Sequence, residues 1–162
     1  ALVDGLKAGG RAGAAWDVFP EEPKSGRDPF HTPLQGLPNV ILTPHIGGST
    51  AEAQRNIGLE VAAKLVRFVN NGCTEGAVEF PNVVLPPLEG GHRILHIHRN
   101  VPGVMQKVNA MFGEAGINIG AQHLRTHLDV GYLIVDTDTQ ATMEMVRQLS
   151  ELPESIKVRA LF

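Results

Sequence analysis

A single cysteine, Cys73, leaves no partner for an internal disulfide and points to a reducing, cytoplasmic setting. No apolar run approaches the roughly 20 residues that span a bilayer, and no basic-then-apolar leader opens the sequence. Lysine and arginine form no stripe or cluster, and the formal net charge is −3, so nothing here marks a nucleic-acid partner. Internal repeats and low-complexity segments are also missing. There is no initiator methionine: Ala1 to Gly10 reads as the last turns of an amphipathic helix closed by glycine, with no cap before it. The chain therefore reads as a piece that begins inside an element. What remains, 162 residues with 43% apolar and 19% charged, is the composition of a soluble globular protein with one or two cores.

The first half alternates short strands with long connections. Ala12 to Phe19 is a small-residue and aromatic run, expected to form a strand buried on both faces. Pro20 to Pro38 carries five prolines and reads as a long irregular loop, and Asn39 to Leu42 is a second short strand. Ser49 to Asn70 is the longest helix candidate, with Ile57, Val61, Leu65 and Phe68/Val69 recurring every three or four residues and Asn71-Gly72 as the stop. Thr74 to Pro81 has room for one short strand. Leu85-Pro86-Pro87-Leu88-Glu89-Gly90-Gly91 is a linker, stiff at its prolines and free at its glycine pair.

Beyond the linker the pattern becomes a compact unit of βαββαβ order, a ferredoxin-like arrangement with both helices on one face of a four-stranded sheet. Arg93 to Arg99 alternates, Leu95 and Ile97 on one face and His96 and His98 on the other, read as a half-exposed one. Pro102 opens a helix striped by Val104, Val108 and Phe112, and Thr139 to Leu152 forms a second, stopped by Pro153. Met105, Met111, Met143 and Met145 read as core filler.

Two constellations carry chemistry. The stretch LTPHIGGST sets His45 in a turn between a strand and a capped helix, the edge of an α/β sheet where ligands bind. Imidazole is the natural group to exchange a proton near neutral pH, and a carboxylate on its far nitrogen fixes its tautomer. Asp17 and Glu22 are the candidate carboxylates; a loop histidine with solvated acidic neighbours is the plainer alternative. In the second constellation, HIHRNVPG, Asn100 and Asn118 offer amide donors and acceptors beside a helix N-terminus, unless Asn100 only caps that helix and Asn118 only tolerates a turn. His92, His96 and His98 share strand parity, but no cysteine lies near them, so no metal site is assigned.

The block GAAWDVFPEEP followed by LTPHIGGST resembles the D-2-hydroxyacid dehydrogenase family, and the βαββαβ order with x-N-x-P-G before its first helix resembles an ACT domain. The first resemblance implies that His45 is the catalytic acid/base with Glu22 as its partner. It also implies that Asp17 lies by the nicotinamide carboxamide of NAD, and that Gly47 and Gly48 line the cofactor cleft. The second implies an effector site at His98, Asn100 and Asn118. Together they imply an α/β chain: residues 1–47 the tail of a Rossmann-type nucleotide-binding domain, 48–88 the return to the substrate domain plus linker, 89–91 a hinge, and 92–162 the ACT domain.

The order of these parts is similar to family members that oxidise 3-phosphoglycerate with NAD, are inhibited by L-serine, and assemble as homo-oligomers, in the full enzyme a tetramer, through their ACT domains. The family's G-x-G-x-x-G turn and its substrate-gripping arginine do not occur in these residues, so the chain alone is expected to be inactive. A regulatory module without catalysis, or a dehydrogenase for another 2-hydroxy acid such as 2-hydroxyglutarate, fits the same residues.

Overall fold

A computed structural model describes residues 1–10, 12–88 and 91–161. Chain contacts divide it into two units, 1–58 and 59–162. Of the linker hinge, Glu89 and Gly90 lie outside the described residues. No helix among the described residues is long and apolar enough to cross a membrane.

The first unit begins with α1 (Leu2–Lys7) and holds a parallel two-stranded ladder of β1 (Ala14–Trp16) and β2 (Val40–Leu42). The ladder runs Ala14 opposite Val40, Ala15 opposite Ile41 and Trp16 opposite Leu42. Gly13 is needed at its start, because a Cβ there would lie 2.8 Å from the carbonyl oxygen of Asn39. The first strand, expected to be buried on both faces, is not: Trp16 is 41% exposed, and Ile41 of its neighbour β2 67%. Two strands make a ladder too narrow to be covered by the loops that connect them.

Helix α2 (Ala51–Asn71) runs from the first unit into the second, starting where Thr50 accepts the Ala53 amide at 3.1 Å. Its apolar stripe of Ile57, Val61, Leu65 and Val69 is exposed. Thr74 to Pro81 forms a loop instead of the short strand. Thr74 accepts from the Val83 amide and donates to the Pro81 carbonyl through one hydroxyl (2.9 and 2.7 Å), and Pro81 has no amide with which to extend a ladder.

The second unit is the βαββαβ sandwich: β3 (His92–Arg99), α3 (Val104–Glu114), β4 (Ile119–His127), β5 (Val130–Thr137), α4 (Met143–Glu151) and β6 (Ser155–Leu161). The strands pair antiparallel in the order β4-β5-β3-β6. On one face Ile94, Leu133 and Val135 pack against Val104, Val108 and Phe112 of α3 and Met145 and Leu149 of α4. Alternation puts His96 and His98 on the face of Ile94, so they are buried under the helices, 1% and 2% exposed, and not half-open. The other face carries Leu95, Tyr132 and Ile134, covered by Val83 and Leu85. Helix α4 starts at Met143, later than the sequence suggested, because Thr142 caps it through the Met145 amide at 3.1 Å, while the Thr139 carbonyl accepts from Thr137. Met143 is exposed and Met145 buried, a split set by position on the first turn.

The last turn of α2 ends on this sheet. Its orphan carbonyls take donors from β-strand side chains: Arg93 from β3 to Asn71 (2.9 Å), Tyr132 from β5 to Gly72 (2.8 Å), and Arg159 from β6 to Val69. Arg93, itself buried, is held in a fork by Asp136 at 2.5 and 2.7 Å. Gly72 is obligatory, with φ of 79° and a Cβ that would fall 2.5 Å from Leu95 and 2.8 Å from the Tyr132 hydroxyl. Tyr132→Phe, which strips the Gly72 carbonyl of its buried donor, is expected to destabilise this unit by about 1–3 kcal/mol. Urea unfolding followed by circular dichroism should show a lower midpoint at unchanged m.

Candidate functional site

The parallel ladder brings the ends of β1 and β2 side by side, and the Thr43 amide donates to the Trp16 carbonyl at 3.0 Å to close it. Asp17, the next residue after β1, accepts from the Thr43 hydroxyl at 2.5 Å and from the His45 amide at 3.1 Å, both through Oδ1. These bonds, the Thr43 hydroxyl first, hold the Asp17 carboxyl below the usual range. His45 sits at a φ of 51°, a left-handed backbone that a residue other than glycine adopts only where its surroundings impose it.

The His45 ring meets Glu22 across 23 residues of sequence. Nδ1 lies 2.8 and 2.9 Å from the two carboxylate oxygens. Glu22 is fixed in turn by the Phe19 amide at 2.9 Å, and that amide followed by His45 lowers its pKa. The His45 pKa is raised, first by the hydrogen bond to Glu22 and then by its charge. A carboxylate can only accept, so Nδ1 carries the proton and Nε2 of the neutral ring holds a lone pair. The pair is half-exposed and borders an open cavity of about 670 Å³, lined among others by Phe19, Pro23, Phe30, Thr43 and Ser49. Phe19 and Phe30 wall it with an edge-to-face contact at 4.7 Å.

Gly47 and Gly48 follow His45 after Ile46, exposed, and a Cβ on either would meet no protein atom within 4 Å. Asp17 has a second carboxylate oxygen beyond the one that bonds Thr43 and His45, and the two glycines add no side chain, a chemistry compatible with the carboxamide-bearing ring of NAD. The Phe19 amide and the Thr43 hydroxyl are site groups that the sequence reading did not single out. Both lie inside its two motifs, DVF and LTPH.

The effector candidates lie in the second unit. Asn100 donates its backbone amide to Asp129 at 2.7 Å and Nδ2 to the Leu128 carbonyl at 3.2 Å, tying β3 to the β4–β5 turn. It does not cap α3: the N-cap is Gly103, left-handed at φ 90° and without a side-chain bond. Its Oδ1 stays available as an acceptor. His98 donates Nδ1–H to the Arg99 carbonyl at 2.9 Å, and its buried Nε2 has no partner among the described residues. His96 bonds Ser155 through Nε2 at 2.6 Å, and burial first, then His98, pushes its pKa down to about 4.

Asn118 is elsewhere. Ile119 pairs with Thr137, as does His92, whereas Arg99 pairs with Val130. Asn118 therefore flanks the sheet end opposite to Asn100, separated by the length of β3, roughly 25 Å. One chain does not bring the three residues together. No group of three histidine, cysteine or acidic side chains among the described residues is placed to hold a metal.

Residues 1–47 match the D-isomer specific 2-hydroxyacid dehydrogenase NAD binding domain, and residues 94–157 match the AHAS small subunit-like ACT domain. Over its whole length the chain is 51% identical to a D-3-phosphoglycerate dehydrogenase of Haemophilus influenzae and 49% identical to that of Escherichia coli strain K12. It is 48% identical, over 99% of its length, to a D-3-phosphoglycerate dehydrogenase of Dictyostelium discoideum. The chain spans 39–40% of the length of these relatives.

The raised His45 pKa gives a signed expectation. Protonated His45 is favoured in the folded state, so its contribution to stability is full below the ordinary imidazole value and is lost as pH rises through the folded value. NMR titration of the His45 ring should give a pKa above that of an unstructured histidine, and Glu22→Gln should lower it. An unmoved value in Glu22→Gln would remove Glu22 as the cause.

Proposed function

We propose that the chain is part of a cytoplasmic, NAD-dependent D-3-phosphoglycerate dehydrogenase of the D-2-hydroxyacid dehydrogenase family, one that carries an ACT domain and is inhibited by L-serine. The observation that carries the catalytic half is the two-oxygen contact of Glu22 with His45 Nδ1. It leaves Nε2 as the base that takes the hydroxyl proton of 3-phosphoglycerate, and the Glu22 carboxylate stabilises the imidazolium that results. Asp17 holds the His45 backbone in place and offers its second oxygen to the carboxamide, with Gly47 and Gly48 lining the cleft. NAD, when bound, supplies the hydride acceptor. The cofactor-gripping glycine turn and the substrate arginine belong to the rest of a longer protein, so residues 1–162 alone have no turnover. In that protein 1–47 closes the nucleotide-binding domain, 48–88 returns to the substrate domain, 89–91 is the hinge and 92–162 senses the effector.

Serine needs donors for its carboxylate and acceptors for its ammonium and hydroxyl. The uncapped start of α3 supplies the first, and Asn100 Oδ1 and His98 Nε2 supply the second. Asn118 joins them from a second copy, because its own chain holds it at the far end of the sheet. β4 is an outer strand of the sheet and offers an edge for pairing with that copy.

The test uses the full-length protein. NAD reduction should depend on 3-phosphoglycerate, fall by about 10²–10⁴ in kcat in His45→Gln, and be inhibited by L-serine in the wild type but not in Asn100→Ala. Turnover with 2-hydroxyglutarate in preference to 3-phosphoglycerate would overturn the substrate. Inhibition that survives Asn100→Ala would overturn the effector site.

A further inference from the structure

Gly131 stands directly opposite His98 in the β3–β5 ladder, on the face covered by the helices. It is not among the glycines of positive φ, so its backbone does not call for glycine. Its neighbour does. A Cβ on residue 131 would lie 2.3 Å from His98 Cε1, 2.6 Å from Nε2 and 2.9 Å from Nδ1, far inside contact distance. The imidazole fills the volume that any other residue would occupy.

That placement fixes the polarity of the ring. Nδ1 lies 2.9 Å from the Arg99 carbonyl oxygen, which only accepts, so Nδ1 carries the proton and Nε2 is a bare acceptor. A buried acceptor with no partner among the described residues is one that a ligand donor can satisfy. The donors of an amino acid are its ammonium and, in serine, its hydroxyl; a carboxylate has nothing to give.

We propose that Gly131 is a positioning residue of the effector site: its missing side chain seats the His98 imidazole so that bare Nε2 accepts a hydrogen bond from the bound amino acid. The proposal rests on the effector reading above and adds a residue that makes no contact of its own with the ligand. It also gives the ligand a direction, with its carboxylate away from His98 and a donor toward it.

Calorimetric titration of the 162-residue chain with L-serine, in the wild type and Gly131→Ala, tests the site. The expected loss is at least about tenfold in affinity, since the displaced ring leaves the ligand donor unpaired. Thermal unfolding of Gly131→Ala, His98→Ala and the double variant tests the route. Gly131→Ala should lower Tm while the imidazole is present and cost nothing further once His98 is alanine. Equal losses in both backgrounds would mean general damage to the sheet and overturn the positioning role. Nitrogen-15 NMR of the wild-type His98 ring needs no variant to fold. A protonated Nδ1, and a bare Nε2 whose resonance moves on adding L-serine, is expected; a ring protonated at Nε2 contradicts the proposal. Wild-type chain that binds no L-serine overturns the effector reading itself. Wild-type binding matched by Gly131→Ala overturns only the role of Gly131.

Discussion

The carboxylate of Asp17 is the tie on which the first site depends. A three-residue parallel ladder brings the ends of β1 and β2 together, and Asp17 Oδ1 spans them through the Thr43 hydroxyl and the His45 amide. Only with that amide held does His45 keep its left-handed backbone, and only from there does its ring reach Glu22. Glu22 is locked from behind by the Phe19 amide. Every member is exposed or half-exposed, so these bonds add little to stability. Their effect is orientation, which decides whether Nε2 is the free nitrogen.

The second unit works by the opposite means. Its central strands β3 and β5 are covered on both faces, and their buried polar side chains take specific partners: Arg93 meets Asp136 and the Asn71 carbonyl, Tyr132 the Gly72 carbonyl, and His96 Nε2 Ser155. The buried Nε2 of His98, like His96 Nδ1 and Glu154 Oε2, has no hydrogen-bond partner among the described residues, and of these it is the one whose ring a glycine, Gly131, seats from the facing strand. The same unit holds the end of α2 through three side-chain donors, Arg93, Tyr132 and Arg159.

Much of this was legible in the sequence where a pattern had one physical solution. The stripe Val104, Val108, Phe112 recurs every four residues, close to the 3.6-residue helical period, and is fully buried on α3. His45 and Glu22 stood out through motifs, and their meeting was a matter of strand ends that a sequence does not place. The Phe19 amide was hidden because a backbone donor has no residue type. Burial of His96 and His98 followed from alternation, but which face the helices cover was set by the whole sheet. Asn118 illustrates the limit best. Its position after α3 was plain, yet only the strand order β4-β5-β3-β6 puts it at the far end from Asn100.

The pH dependence of kcat/KM for 3-phosphoglycerate oxidation, in the full-length protein with and without Glu22→Gln, probes the His45–Glu22 pair most directly. His45 must be neutral to take a proton, so activity should rise with pH through its pKa. Loss of the carboxylate removes the cause of the raised value. The rising limb should therefore move to lower pH in Glu22→Gln while the plateau falls. A limb that stays in place, or moves to higher pH, would show that His45 is not the base that Glu22 holds.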